Sequence, residues 1–416
     1  MKLLSLNACA VPQDLSSVTT IARDREAPSS LTGVDDAVRE EIWRGVERVY
    51  ATGMSPAITF CLRRRGHVVL DRAIGHRIGN GPHDAPETPK QLARPDTPMC
   101  LFSASKVVTA MLVHKLAELH EIDLLAPVAH YLPAFGRHGK QYITTAQLLS
   151  HRAGIPTIKG DFDPETLFDT ERVLEILYNA KPASRGGHRA AYHAVTGGYI
   201  LGELIRVITG QDAREYLRDL IQKPLGMSSF NYGLDPALRG TEAIGYATGI
   251  KPVLAVDWFL QNALGGDLDT IVNVTNDPRF MDTICPAGNI FATADESCRF
   301  FELLLREGTL DGHRAFDPLT IRRATLEAAK PQFDDTLLLP LRYSHGMMLG
   351  ANPVGLYGPM TGKAFGHLGF SNIFCWADPE RDISAALLTS GKPVIGPHLP
   401  VLGALLAQLS FKLPRH

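Results

Sequence analysis

The sequence predicts an α+β fold: an antiparallel sheet flanked by helices, with an all-helical lobe inserted between two β-containing ends. Three observations carry this. β-Rich runs occur in pairs near both ends of the chain, at 57–62 with 67–70 and at 367–376 with 383–388. Between them, 164–180, 195–209 and 212–222 have helical apolar spacing and little strand signal. A strongly apolar stretch at 400–411 reads as a closing helix that covers the sheet.

In order along the chain, Met1 to Ala10 hints at a secretion signal, but its apolar core is short and broken by Asn7, so 1–33 reads as a flexible N-terminal arm. The amphipathic spacing of Val38, Ile42, Trp43, Val46 and Val49 predicts a helix over 34–51 packed on a sheet. The first β pair is joined by Arg63-Arg64-Arg65-Gly66, a hairpin whose charges are expected at a solvated tip. Residues 79–98, rich in Gly, Pro and Asp, form a long loop. Thr144 to Pro156 reads as an N-capped short helix stopped by Gly154 and Pro156. Trp258 and Phe259 are core aromatics or a pocket wall, and substrate specificity is expected to reside there and in 79–98. Thr293 is a candidate cap for a helix through Leu305. The turn Asp378-Pro379-Glu380-Arg381-Asp382 makes the last β pair a hairpin. The expected organisation is the arm and one domain, 34–416, with an α/β lobe at about 34–102 and 285–416 and a helical lobe at about 103–284.

At 416 residues and 45% hydrophobic content the chain can bury one large core or two cooperating lobes. A net charge of -2, with acids and bases mixed, gives no reason to expect nucleic acid or an anionic membrane as partner. No segment approaches the roughly 20 apolar residues of a membrane span. The six cysteines lack C-x-x-C pairs, which argues for buried thiols over disulfides or a metal site and favours a reducing, cytoplasmic compartment. There is no Gly-x-Ser-x-Gly elbow, no His-Glu-x-x-His and no phosphate loop, so no cofactor is expected. A small, neutral or weakly charged substrate fits this balance, and oligomeric state is not legible.

The stretch with chemistry is Ser103-Ala104-Ser105-Lys106, which opens an apolar helical run. Residues three apart share a helix face, so the Lys106 amine can reach the Ser103 hydroxyl. A serine becomes nucleophilic when a base takes its proton, and a lysine whose charge is suppressed by burial is such a base. Ser-x-x-Lys alone is a weak signal, because an N-capping serine before a solvated lysine gives the same letters.

Four further runs follow it: Leu148-Leu149-Ser150-His151-Arg152-Ala153-Gly154, Pro224-Leu225-Gly226-Met227, Pro286-Ala287-Gly288 and Phe365-Gly366-His367-Leu368-Gly369-Phe370. Together, in this order, they resemble the penicillin-recognising serine hydrolases: class C β-lactamases, serine D-alanyl-D-alanine carboxypeptidases and, closest in pattern, family VIII esterases. The resemblance covers the chain from about Val34 onward and implies a β-lactamase/transpeptidase-like fold. It assigns Ser103 as nucleophile and Lys106 with Tyr192 as base. Near lysine-like charges the phenol is expected to be more acidic than in water, so that a phenolate shares the base role. It places Gly369 and Phe370 at the substrate, the Phe370 amide completing an oxyanion hole with that of Ser103.

The chain departs from the penicillin-active pattern twice. Ala194 stands where the family carries Asn, and His367 where β-lactamases carry Lys, which leaves at most a conditional positive charge for a substrate carboxylate. Thr361-Gly362-Lys363 and Ser390-Gly391-Lys392 have similar letters in the wrong order and are set aside. The expected activity is a carboxylesterase working through an acyl-enzyme on small esters, with His367 binding substrate or tuning Tyr192. The alternatives are a β-lactamase, a D-Ala-D-Ala carboxypeptidase or other amide-cleaving peptidase, or an acyltransferase of the same fold; a non-catalytic binding protein is a further one.

Overall fold

The computed structural model describes residues 6–157, 163–184, 186–251, 257, 260–261 and 264–415. Trp258 and Phe259 lie outside the described residues.

A ten-stranded antiparallel sheet forms the frame. Its principal strands are β1 (Thr19–Ile21), β2 (Ala57–Arg64), β3 (His67–Ile78), β4 (Pro340–Tyr343), β5 (Met348–Leu349), β6 (Phe365–Gly369), β7 (Ile373–Asp378) and β8 (Ile383–Thr389). Across the sheet the order is Gln332–Phe333, β4, β5, β6, β7, β8, β2, β3, β1, with Gln91–Leu92 also paired to β3. The two ends of the chain meet where β8 pairs with β2, Leu387 opposite Phe60.

Side chains alternate between faces along a strand, and here the two faces differ in size. Phe60, Leu62, Trp376 and Leu387 point to one side. They pack there against Trp43 and Val46 of α1 (Asp36–Tyr50) and Leu405 and Leu409 of the closing helix (His398–Lys412). Their neighbours Cys61, Cys375, Ala377 and Ala386 face the other way and are small. A second layer lies close on that side: α2 (Ser105–Glu118) and the helix Ala294–Leu305, with Phe300 and Leu303 buried. The latter helix starts at Thr293, as expected, in a capping box with Glu296. All six cysteines are free and buried. Between α2 and Asp282 the regular elements among the described residues are helices, including Thr170–Asn179 and Thr196–Thr209, and short strands. Among the described residues no helix is long and apolar enough to cross a membrane.

Three local readings change. From Leu6 onward the segment expected as a flexible arm is held in place: Thr19–Ile21 forms the edge strand β1 on β3, and Leu6–Asn7 pairs with Gly249–Ile250. Its alternation was too short to register as strand. The arginine run is not a solvated tip. Only Arg65 and Gly66, both at positive φ, form the turn. Arg63 binds Asp295 and Glu302, and Arg64 is 2% exposed and donates to the carbonyls of Gly33, Arg381 and Pro414. The run read as one strand over 367–376 is a hairpin, turned through Phe370-Ser371-Asn372 with Asn372 at φ 64°. Asn tolerates that left-handed conformation, so the chain reverses where hydropathy alone continues.

Asp71 of β3 is fully buried 2.7 Å from Arg25, in a contact misaligned for a hydrogen bond. Burial raises its pKa to about 7, Arg25 opposing and Asp295 adding to the rise. The folded chain therefore holds this proton more tightly than the unfolded chain, and stability is lost as pH rises from about 4 to 7. Asp71→Asn is expected to remove that loss. Urea midpoints at pH 4.5 and 7.5 should differ less in the variant than in the wild type; an unchanged difference contradicts the assignment.

Candidate active site

Ser103 sits on a single 3-10 turn, Phe102–Ala104, that runs directly into α2. Phe102 has φ 47°, a left-handed conformation that costs a bulky residue on the order of 1–3 kcal/mol and persists only where the surroundings impose it. The turn is seated against the sheet at the end of β6. A Cβ on Gly369 would lie 2.4 Å from the Leu101 carbonyl oxygen, so only glycine lets strand and turn approach this closely.

Lys106, one turn along α2, is buried and points back at Ser103. Its Nζ lies 3.1 Å from Ser103 Oγ, 2.6 Å from the Ala194 carbonyl oxygen and 2.9 Å from that of Ala287. Burial brings its pKa down to about 7. A neutral amine has two N–H groups and one lone pair. The two carbonyls take the N–H groups, which leaves the lone pair for the Ser103 hydroxyl. The Pro286-Ala287-Gly288 run is itself fixed to α2, since the Thr109 hydroxyl donates to the Pro286 carbonyl and the Ile290 amide donates to Ser105 Oγ. Ala194 thus serves through its backbone, a contact that does not depend on its side chain.

Tyr192 lines the same cavity as Ser103, and Lys106 Nζ lies 5.1 Å from the centre of its ring. The expected acidification of the phenol is reversed. Burial pushes its pKa above the ordinary value, Asp334 pushes the same way, and the nearby Ser103 hydroxyl opposes them. The cations invoked for a phenolate are not available: Lys106 tends to neutrality, and burial lowers the His367 pKa to about 3, with the Lys106 charge adding to that.

His367 does not line the cavity. It is 1% exposed, its ring centre 5.9 Å from that of Tyr192, and its Nδ1 contacts the Leu368 carbonyl at 2.6 Å. It therefore offers no positive charge to a substrate carboxylate and backs the phenol instead. Gly369 and Phe370 do line the cavity, Phe370 at the turn just past β6.

Three residues in this site were not singled out from the sequence. His151 packs at 4.7 Å from the Tyr192 ring and accepts the His193 amide at its Nδ1; His193 in turn accepts the Ile155 amide. The fully buried Asp334 accepts the Tyr192 amide at 3.1 Å and the Tyr343 hydroxyl at 3.0 Å. These groups fix the tyrosine from behind. Among the described residues no group of three or more His, Cys, Asp or Glu converges to hold a metal.

The cavity is about 330 Å³ and its wall is apolar, with Leu167, Val195, Ile271, Phe280, Leu337 and Met348 among its residues. No charged side chain lines it among the described residues, and no residue of 79–98 reaches it.

This site belongs to a chain whose likeness to known proteins is extensive. The family model described as Beta-lactamase matches residues 46–408. "Esterase/beta-lactamase LipL" of Mycobacterium tuberculosis is 31% identical over 70% of this chain and 69% of its own length. A solved penicillin-binding protein homologue from Caulobacter crescentus superposes with TM-score 0.76 at 26% identity, covering 92% of this chain and 99% of that one. A family VIII carboxylesterase structure has the same TM-score at 24% identity, covers 90% and 98%, and so shares the fold. With the helix-borne serine–lysine pair at the end of an interior strand of an antiparallel sheet, the matches make this chain a member of the beta-lactamase family of serine hydrolases.

Proposed function

We propose that the protein is a carboxylesterase working through an acyl-enzyme on Ser103, for uncharged esters with an apolar acyl group. The observation that carries this is the triple contact of Lys106, which turns a buried amine toward Ser103 in the wall of an apolar cavity.

Lys106 takes the Ser103 proton as Oγ attacks the ester carbonyl, and the amides of Ser103 and Phe370 stabilise the oxyanion. The carbonyl carbon–alkoxide bond then breaks. Tyr192, neutral and lining the same cavity as Ser103, passes the proton from Lys106 to the leaving alkoxide. Water repeats the sequence on the acyl-enzyme, breaking the Oγ–acyl bond, releasing the acid and returning the proton to Ser103.

A β-lactam or a D-Ala-D-Ala peptide brings a carboxylate and an acylamino group. A neutral His367 and an alanine at 194 leave both without their usual partners. Losing a charged hydrogen-bond partner is worth roughly 1.5–3 kcal/mol, or about ten- to a hundredfold in kcat/KM. p-Nitrophenyl butyrate is therefore expected to be turned over faster than a chromogenic cephalosporin by at least that factor. The opposite ranking would replace this reading with a β-lactamase or peptidase. Product partition with added alcohol tests acyl transfer in the same assay.

A further inference from the structure

The lysine of Ser390-Gly391-Lys392, set aside on sequence order, lies beside the nucleophile turn. Its side chain is 2% exposed, and its Nζ sits 4.6 Å from the centre of the Phe102 ring. Among the described residues that Nζ makes one hydrogen bond, to the Thr389 carbonyl at 2.6 Å, and no ion pair. Its backbone is fixed in turn, the amide donating to the Tyr246 carbonyl at 2.8 Å. A buried amine with a single acceptor is costly to keep, and a methionine would fill the same space without that cost. The ring that receives it belongs to the residue at φ 47° immediately before Ser103, and the same ring meets Phe370 edge-on at 5.9 Å.

We infer that Lys392 is a positioning residue for Ser103: its amine and the Phe370 ring clamp Phe102 and so hold the left-handed turn that presents the Ser103 hydroxyl and amide. The ring face attracts the amine in either protonation state, as a cation–π pair when charged and as an N–H···π contact when neutral. The clamp also joins the two proposed oxyanion donors, since Phe102 precedes one and packs on the side chain of the other. It does not touch substrate, so its loss should appear in turnover and not in binding.

The inference rests on the assignment of Ser103 as nucleophile. Lys392→Met is expected to lower kcat on p-nitrophenyl butyrate by about ten- to a hundredfold, the scale of a small misplacement, with KM within about twofold. Its Tm should be no lower than that of the wild type. A merely structural lysine would give the reverse, a lower Tm with kcat preserved. Phe102→Leu alone should show a comparable kcat loss, and adding Lys392→Met to it should cost nothing more. A Lys392→Met enzyme with wild-type kcat, or single losses that multiply in the double variant, overturns the inference. If Lys392→Met does not fold, wild-type kcat in Phe102→Leu overturns it equally. Ser103→Ala separates the two levels: residual turnover there removes the nucleophile assignment, whereas an inactive Ser103→Ala beside a fully active Lys392→Met removes only the clamp.

Discussion

Ser103→Ala is expected to reduce p-nitrophenyl butyrate turnover by about four to six orders of magnitude, the range seen when a nucleophile is removed and only binding and an oxyanion hole remain. The neighbouring serine cannot substitute. Ser105 is fully buried and its oxygen accepts the Ile290 amide. Ser371 also lines the cavity, but its hydroxyl donates to the Pro393 carbonyl at 2.8 Å and accepts from the Asn372 side-chain amide at 3.4 Å. The fold should be unaffected, because the Ser103 side chain lines the cavity and its one hydrogen bond among the described residues is with Lys106. Labelling by a fluorophosphonate should disappear along with turnover. Retained turnover with labelling moved to Ser371 would place the chemistry elsewhere in the same cavity and end the present assignment.

The sequence disclosed this site unevenly, and the unevenness has physical causes. Ser103 and Lys106 are legible because a helix fixes their separation, so three positions in the chain become one turn in space. The β pairs at both ends are legible from alternation, although nothing local says that β8 pairs with β2 across more than 300 residues. The partners of Lys106 are illegible in principle. Ala194 and Ala287 act through carbonyl oxygens, and a backbone acceptor leaves no mark on residue type. Asp334 was missed for a related reason: it holds Tyr192 through its amide, from a short loop without periodicity. The acidity of Tyr192 was misjudged because a list of nearby charges omits burial, and burial is the larger effect here. Lys392 shows the converse error. Its motif letters are set aside on order, and its place against Phe102 depends on tertiary packing that motif order does not encode.

Burial sets a pH dependence that tests the proposed base directly. Lys106 accepts a proton only as the neutral amine, and its pKa is brought from 10.5 to about 7. kcat/KM for an uncharged ester should therefore rise with pH through a midpoint near 7, where an exposed lysine would give one near 10. Lys106→Ala should lower kcat/KM by about two to four orders of magnitude, the usual worth of a positioned base, and abolish that rise. Lys106→Arg should be as damaging, because a guanidinium stays charged at any accessible pH. The same shift acts on stability with a definite sign. Between pH 7 and 10.5 the folded chain binds fewer protons at this site than the unfolded chain, so its contribution to stability increases as pH rises through that window. Lys106→Met removes that slope while leaving two buried carbonyls without a donor, so the variant should compare best with the wild type at pH 6 and progressively worse toward pH 10. A rate profile that keeps its midpoint near 7 in Lys106→Ala would assign the titration to another group and leave the lysine without the role of base.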